Sequence, residues 1–207
     1  MIKIRNRVLG MVETNCYFVQ NPETREMLVI DPAASPEEIE QEIAAMDGIP
    51  KAILLTHGHF DHMLAADEIR KRYGIPVLAS ETEQALLQNS EENLSASWSG
   101  AYTMKADQLV KDGETLTLAG FSIHVIATPG HTAGSVCYYL PEENVLFSGD
   151  TLFCESYGRY DFPTSSGRSL VASVKKLLRE LPDDVIVYPG HNEETTMEHE
   201  KRYNPLA

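Results

Sequence analysis

The stretch "LLTHGHFDHM", residues 54–63, places three of the chain's seven histidines and one aspartate within six consecutive positions. It continues the apolar run "AILL" (52–55), which reads as the end of a buried strand. Alternate residues of an extended chain point the same way, so His57 and His59, on either side of Gly58, can aim both imidazoles at one point. Asp61 and His62 follow in a turn leading to a helix that starts at 63, where their side chains can diverge toward a neighbouring position. One metal ion with an open coordination position has no use for four such donors.

The same placement recurs downstream. His131 lies in "ATPGHTAGS" (127–135), after the strand-like run "FSIHVIAT" (121–128); Asp150 closes "NVLFSGD" (144–150); His191 lies in "VYPGHN" (187–192). Three further candidate donors thus end three further strands, and strand ends hold side chains with the tolerance a metal site needs. Each is an ordinary turn residue if taken alone. Together and in this order, His57, His59, Asp61, His62, His131, Asp150 and His191 form a set. His124 shares a strand face with Ser122 and Ile126, and His199 lies in the polar segment "TMEHEKRY" (196–203), so both fall outside it.

Composition narrows the partners. Among 207 residues, 17 Lys plus Arg stand against 31 Asp plus Glu, a formal charge of −14 that opposes attraction to nucleic acid or anionic lipid. The N-terminal "MIKIRNRVLGMVETN" breaks its apolar residues with Gly10 and Glu13, and no stretch reaches the length of a membrane span. A cytoplasmic protein is expected. Cys16, Cys137 and Cys154 are odd in number, widely spaced and without a C-x-x-C, so free thiols in a reducing compartment are expected rather than a disulfide framework or a thiolate zinc site.

Short apolar runs at 27–32, 52–56, 76–80, 121–128, 135–140, 144–150 and 185–190 read as strands. Helical patterns occupy 35–46, 63–74 and 169–181, with Pro36 at the first start, Gly74 at the second end and Pro182 after the third. The order predicts one domain of mixed sheets covered by helices. Residues 88–104 carry the sole tryptophan, Trp98, with Tyr102, and read as a long loop or broken helix. Such a segment is either a lid or pocket wall, or a loop anchored by packed aromatics.

In this context the chain resembles the metallo-β-lactamase-fold hydrolases, and within them the glyoxalase II-like (hydroxyacylglutathione hydrolase-like) branch. "TNCYFV" (14–19), "VIDP" (29–32), "LLTHGHFDH", "TPGHTAGS", "FSGDTLF" (147–153), "GRYDFP" (158–163) and "YPGHNEET" (188–195) carry the resemblance over nearly the whole chain. It implies an αββα sandwich, two mixed β-sheets flanked by helices, with the metal site at one edge. It assigns His57, His59 and His131 to a first metal, Asp61, His62 and His191 to a second, and Asp150 to a bridge. The chain stops soon after its last motif, at "RYNPLA", so a single domain over 1–207 is expected, without the helical C-terminal domain that helps glyoxalase II enzymes hold glutathione. It is similar instead to their compact bacterial relatives.

Imidazole and carboxylate donors suit zinc, with iron or manganese as alternatives. Two Zn²⁺ against the charges of Asp61 and Asp150 leave about +2, which favours a bridging hydroxide able to attack a carbonyl, oriented by Asp61. A thioester or related ester, S-acylglutathione-like, is the expected small-molecule substrate, because a thiolate leaves without protonation and no dedicated general acid stands out. Arg159 and Tyr157, in "ESYGRYDFP" (155–163), are candidates to meet an anionic substrate tail, or Arg159 pairs with Asp161. Two other readings compete. Persulfide dioxygenases resemble this chain, and His57, His131 and Asp150 form a two-histidine, one-carboxylate set suited to a single iron; a non-catalytic metal-binding protein is the third. Oligomeric state is not legible.

Overall fold

A computed structural model describes residues 2–207. Its first mixed sheet runs in spatial order β1 (Lys3–Leu9), β2 (Thr14–Gln20), β3 (Glu26–Ile30), β4 (Ile49–Leu54), β5 (Val77–Ser80) and β6 (Gln108–Val110). Strands β1 to β3 pair antiparallel, and β3 to β6 are parallel. The chain then forms β7 (Thr115–Leu118), β8 (Phe121–Ala127), β9 (Val136–Leu140) and β10 (Val145–Gly149), a short hairpin β11 (Leu152–Phe153) and β12 (Ser156–Tyr157), and finally β13 (Ile186–Pro189) and β14 (Thr195–Thr196). The second sheet has the order β14-β13-β10-β9-β8-β7, with β10 and β13 parallel.

Period-two alternation builds the layers. On β2, Tyr17 and Val19 face Phe121, Ile123, Val125, Tyr138 and Phe147 of the second sheet, while Cys16 and Phe18 face the other way. There they meet Ile39 and Ile43 of α1 (Pro36–Ala45) and Ile69, beyond a short α2 (Phe60–Met63), on α3 (Ala66–Tyr73). Two further short helices follow, α4 (Gln84–Leu87) and α5 (Ser95–Trp98). The outer face of the second sheet packs Cys137, Leu146 and Val187 against Leu170, Val174 and Leu177 of α6 (Gly167–Glu180) and Met197 of α7 (Met197–Tyr203). The result is the expected αββα sandwich.

The expected helix over 63–74 is α3, starting three residues later, and the expected turn at Asp61 and His62 is a separate short helix, α2. The break lets α2 carry Asp61 and His62 inward while α3 lies along the sheet and ends at Gly74, whose φ of 65° few other residues adopt cheaply. Residues 88–104 are largely irregular around α5. Cys16 and Cys137 are buried free thiols, and Cys154 is partly buried and free. Among the described residues, no helix is long and apolar enough to cross a membrane.

Candidate metal centre

All seven candidate donors converge at one edge of the sandwich. His57 and His59 continue from β4, Asp61 and His62 ride on α2, His131 follows β8, Asp150 follows β10, and His191 follows β13. Both Pro-Gly-His turns are held by contacts a side chain would break. At Gly130, with φ 148°, it would collide with the backbone of Leu170 at the start of α6; at Gly190 it would collide with the Asp150 carboxylate. The His191 turn is also tied to β2, where Asn15 Nδ2 donates to Pro189 O at 2.9 Å and Tyr17 OH to the same oxygen at 2.6 Å.

The donor atoms fall into two clusters joined by a third close group, His57, His62 and Asp150. One ligand atom each from His57, His59 and His131 lie within 4.8 Å of one another, and so do those of Asp61, His62 and His191. Asp150 stands between: its Oδ2 is 3.4 Å from His131 Nε2 and 3.5 Å from His191 Nε2, while Oδ1 is 3.4 Å from His62 Nε2. Asp61 Oδ2 lies 3.5 Å from His62 Nε2 and 3.3 Å from His191 Nε2. Metal–donor distances of about 2.0–2.1 Å set tetrahedral edges of roughly 3.3 Å, close to these separations.

Four of the histidines have the far ring nitrogen in a hydrogen bond, the longest being His191 Nδ1 to the Glu13 carbonyl at 3.4 Å. Thr56 Oγ1 donates to Asp31 at 2.6 Å, so the same hydroxyl can accept only from His57 Nδ1–H, 3.1 Å away. His62 Nδ1 donates to Asp31 at 2.9 Å, and His131 Nδ1 to the Arg159 carbonyl at 2.9 Å. Each bond fixes a tautomer with Nε2 turned into the site. His59 is arranged differently: its Nδ1 is 2.9 Å from His131 Nε2, and its ring meets Phe162 edge-on at 5.3 Å between centroids. Thr14 Oγ1 donates to Asp61 Oδ2 at 2.9 Å.

Electrostatics separate the two clusters. Burial, reinforced by His62 and His131, keeps His57 neutral, and burial with His131 pushes His59 down to about 3. Burial also disfavours charge on His62, but Asp61, Asp150 and Asp31 outweigh it and raise its pKa well above the usual imidazole value. His191 is likewise lifted against burial, by Asp150 and Asp61, to about 9. Desolvation works against the carboxylates, yet His62 and His191 hold Asp61 at about 2, and His62, His131 and His191 hold Asp150 well below the carboxylate range.

These residues fit bound divalent metal. His57 Nε2, His59 Nε2, His62 Nε2 and Asp150 Oδ1 are buried with no hydrogen-bond partner among the described residues, and an unsatisfied buried polar atom costs about 1–3 kcal/mol. Three of these residues, His57, His62 and Asp150, also bring donor atoms within 4.8 Å of one another, which a cation would satisfy.

Sequence reading missed the supports. Asp31, Thr56 and Glu83 are all buried. Glu83 accepts from Gly58 N–H at 2.8 Å and is also bonded by Thr132 and the Gly134 N–H, so one carboxylate clamps the loops of His57, His59 and His131. Removing the clamp with Glu83→Ala is expected to weaken metal retention about 10–100-fold in a chelator competition, while His124→Ala leaves it unchanged. Equal retention in all three proteins would remove Glu83 from the site. His124 is exposed on β8 and lines a separate cleft with Asp112, Lys176 and Glu180. His199 is not simply solvated: it sits in α7, partly covered, with Nε2 3.0 Å from Glu155.

Arg159 lines the cleft above the donors, and its guanidinium pairs with both oxygens of Asp161 at 2.9 and 2.8 Å. Tyr157 does not share that cleft. It sits on β12 opposite Leu152 and packs against the α6 side of the core, because the β11–β12 hairpin turns it away from the donors.

Comparison with known proteins agrees with this geometry. The Metallo-beta-lactamase superfamily model matches residues 9–191. A probable metallo-hydrolase, YqgX, of Bacillus subtilis is 35% identical over 99% of this chain and 97% of its own. The hydroxyacylglutathione hydrolase GloC of Haemophilus influenzae is 35% identical over 94% of this chain and 92% of its own. Among solved structures, the BLEG-1 B3 metallo-beta-lactamase superposes with a TM-score of 0.93 at 38% identity, covering 99% of both chains. TTHA1623, in a di-iron-bound form, gives 0.86 at 35% identity, covering 98% of this chain and 100% of its own. With the sandwich, the donor edge and these matches in agreement, the chain belongs to the metallo-beta-lactamase superfamily.

Proposed function

We propose that the chain is a single-domain dinuclear metallohydrolase, glyoxalase II-like, that cleaves a thioester or related ester. The observation that carries this reading is Asp150, whose one oxygen faces His131 of the first cluster and His191 of the second. His57, His59 and His131 would hold one metal, Asp61, His62 and His191 the other, and Asp150 both; the clusters open on one cleft of about 300 Å³. Bound there, zinc, or iron or manganese, would supply Lewis acidity and water ionised near neutral pH.

The chain's own groups then position the reaction. Asp61, ionised and held by Thr14, orients the attacking water as well as serving as a donor. Apart from the donors, the polar cleft-lining residues are Arg159 and Asn192, and neither readily protonates an amine leaving group. A thiolate needs no such proton, which favours thioesters over amides. GloC's name supports the same class. A small-molecule substrate, no nucleic-acid partner and a cytoplasmic setting for the free thiols complete the proposal. A single iron held by His57, His131 and Asp150 would leave Asp61, His62 and His191 to support the ligands rather than bind, although their own donor atoms also lie within 4.8 Å of one another.

Metal content of protein purified without added metal or chelator, followed by a panel of thioesters, oxygen esters and a β-lactam, tests this. Near two equivalents with thioester turnover is the expected result. One equivalent of iron with oxygen uptake on persulfides would overturn it.

A further inference from the structure

We propose that the cleft over the donors selects its substrate by an uncharged, aryl-sized apolar group beside the scissile thioester, and not by the charged peptide of a glutathione-type thiol. The proposal rests on the hydrolase reading for the bond cleaved, and on the cleft alone for the group held.

Six apolar side chains line the cleft together with the donors. Val12, from the turn between β1 and β2, stands with Phe60, Leu94 and Trp98; Phe153 and Phe162 also line the cleft. Val12 is 40% exposed and Trp98 59%, so large apolar groups of the cleft lining are left in water. Trp98 is stacked on buried Phe60, their rings 14° from parallel at 6.4 Å. Single exposed apolar residues carry no message, but a contiguous apolar lining continuous with convergent polar groups marks a ligand cleft.

Charge argues the same way. Arg159 is the one lysine or arginine lining the cleft among the described residues. Its guanidinium is paired with both Asp161 oxygens and lies 4.2 Å over the Phe162 ring, so its charge is already met and its flat face adds to the wall. Away from the donors, a thiol carrying two carboxylates finds no second lysine or arginine in the lining, in a chain of net charge −14. An apolar group displaces water from Trp98 and Val12 at no such cost.

The sole tryptophan is itself the reporter. Calorimetric titration of the metal-loaded protein with benzyl and 2-hydroxyethyl thioethers of N-acetylcysteamine, and with the 2-hydroxyethyl thioether of glutathione, is followed in parallel by Trp98 emission. The benzyl thioether is expected to bind at least about tenfold more tightly than its hydroxyethyl partner and to shift the emission, and Val12→Ser to weaken the benzyl compound alone by about threefold or more. Equal affinities, tightest binding of the glutathione compound, or benzyl binding without a change at Trp98 would overturn the proposal. So would a dimer that Val12→Ser dissociates with benzyl affinity unchanged, which would give the patch to a second copy. The thioethers have no bond to hydrolyse, so a panel without turnover but with this preference intact counts against the hydrolase reading only.

Discussion

Asp61→Ala is expected to lower kcat for thioester hydrolysis by about 10³-fold and to leave the protein with about one metal per chain. The carboxylate does two things that no neighbour can take over. It stands 3.3 Å from His191 Nε2 and 3.5 Å from His62 Nε2, completing the second donor cluster, and it is held in place by Thr14. Its pKa of about 2 keeps it ionised throughout the range in which the protein is handled. Asp61→Asn separates the roles: the amide keeps an oxygen for Thr14 but not the charge, so metal loading falls less than with alanine while turnover stays low. Parallel measurement of metal per chain and of kcat decides. Wild-type turnover in Asp61→Ala would take Asp61 out of the mechanism.

The seven candidate donors were readable because five are histidines, a scarce residue in this chain, and most follow strands in a fixed order, and strands such as β10 are buried throughout because both faces are covered. β1 was not readable. Its "KIRNRVL" is largely exposed and charged, and it becomes a strand because β2 offers it an antiparallel edge, while Arg5 and Arg7 reach across to Glu42 on α1 at 2.7 and 2.6 Å. Such partners lie far away in sequence, and no local pattern announces them. The supports of the site were hidden for the same reason. Thr56 bonds Asp31, and Gly58 bonds Glu83, across 25 positions each. Asp31 did leave a signal: it closes the buried strand β3 just before Pro32, the kind of strand-end placement that singled out Asp150. Arg159 was legible for its charge, yet the structure sets its carbonyl, not its guanidinium, against His131.

The two metals are expected to load with different pH dependence, the second far more steeply than the first. In the metal-free protein His62 and His191 are raised, the latter to about 9, so both carry protons at pH 7 that a metal must displace. His57 and His59 are lowered and have none to release. Two protons expelled per ion make the affinity of the second cluster rise by roughly 100-fold per pH unit until about pH 9, whereas the first cluster owes no such slope to His57 and His59. Equilibrium dialysis across pH, or calorimetry in buffers of different ionisation enthalpy, reads the protons directly; equal slopes for the two ions would overturn this division. The same protons predict stability in the opposite sense. Because His62 and His191 have folded pKa values above the usual 6.5, they stabilise the metal-free fold fully below about pH 6.5, and that contribution fades as pH rises through about 9. Losing them leaves Asp31, Asp61 and Asp150 gathered around neutral rings. The Tm of the metal-free chain should therefore fall across this interval while the metal-loaded chain holds, because the cations then supply the charge that the two imidazolium groups gave up.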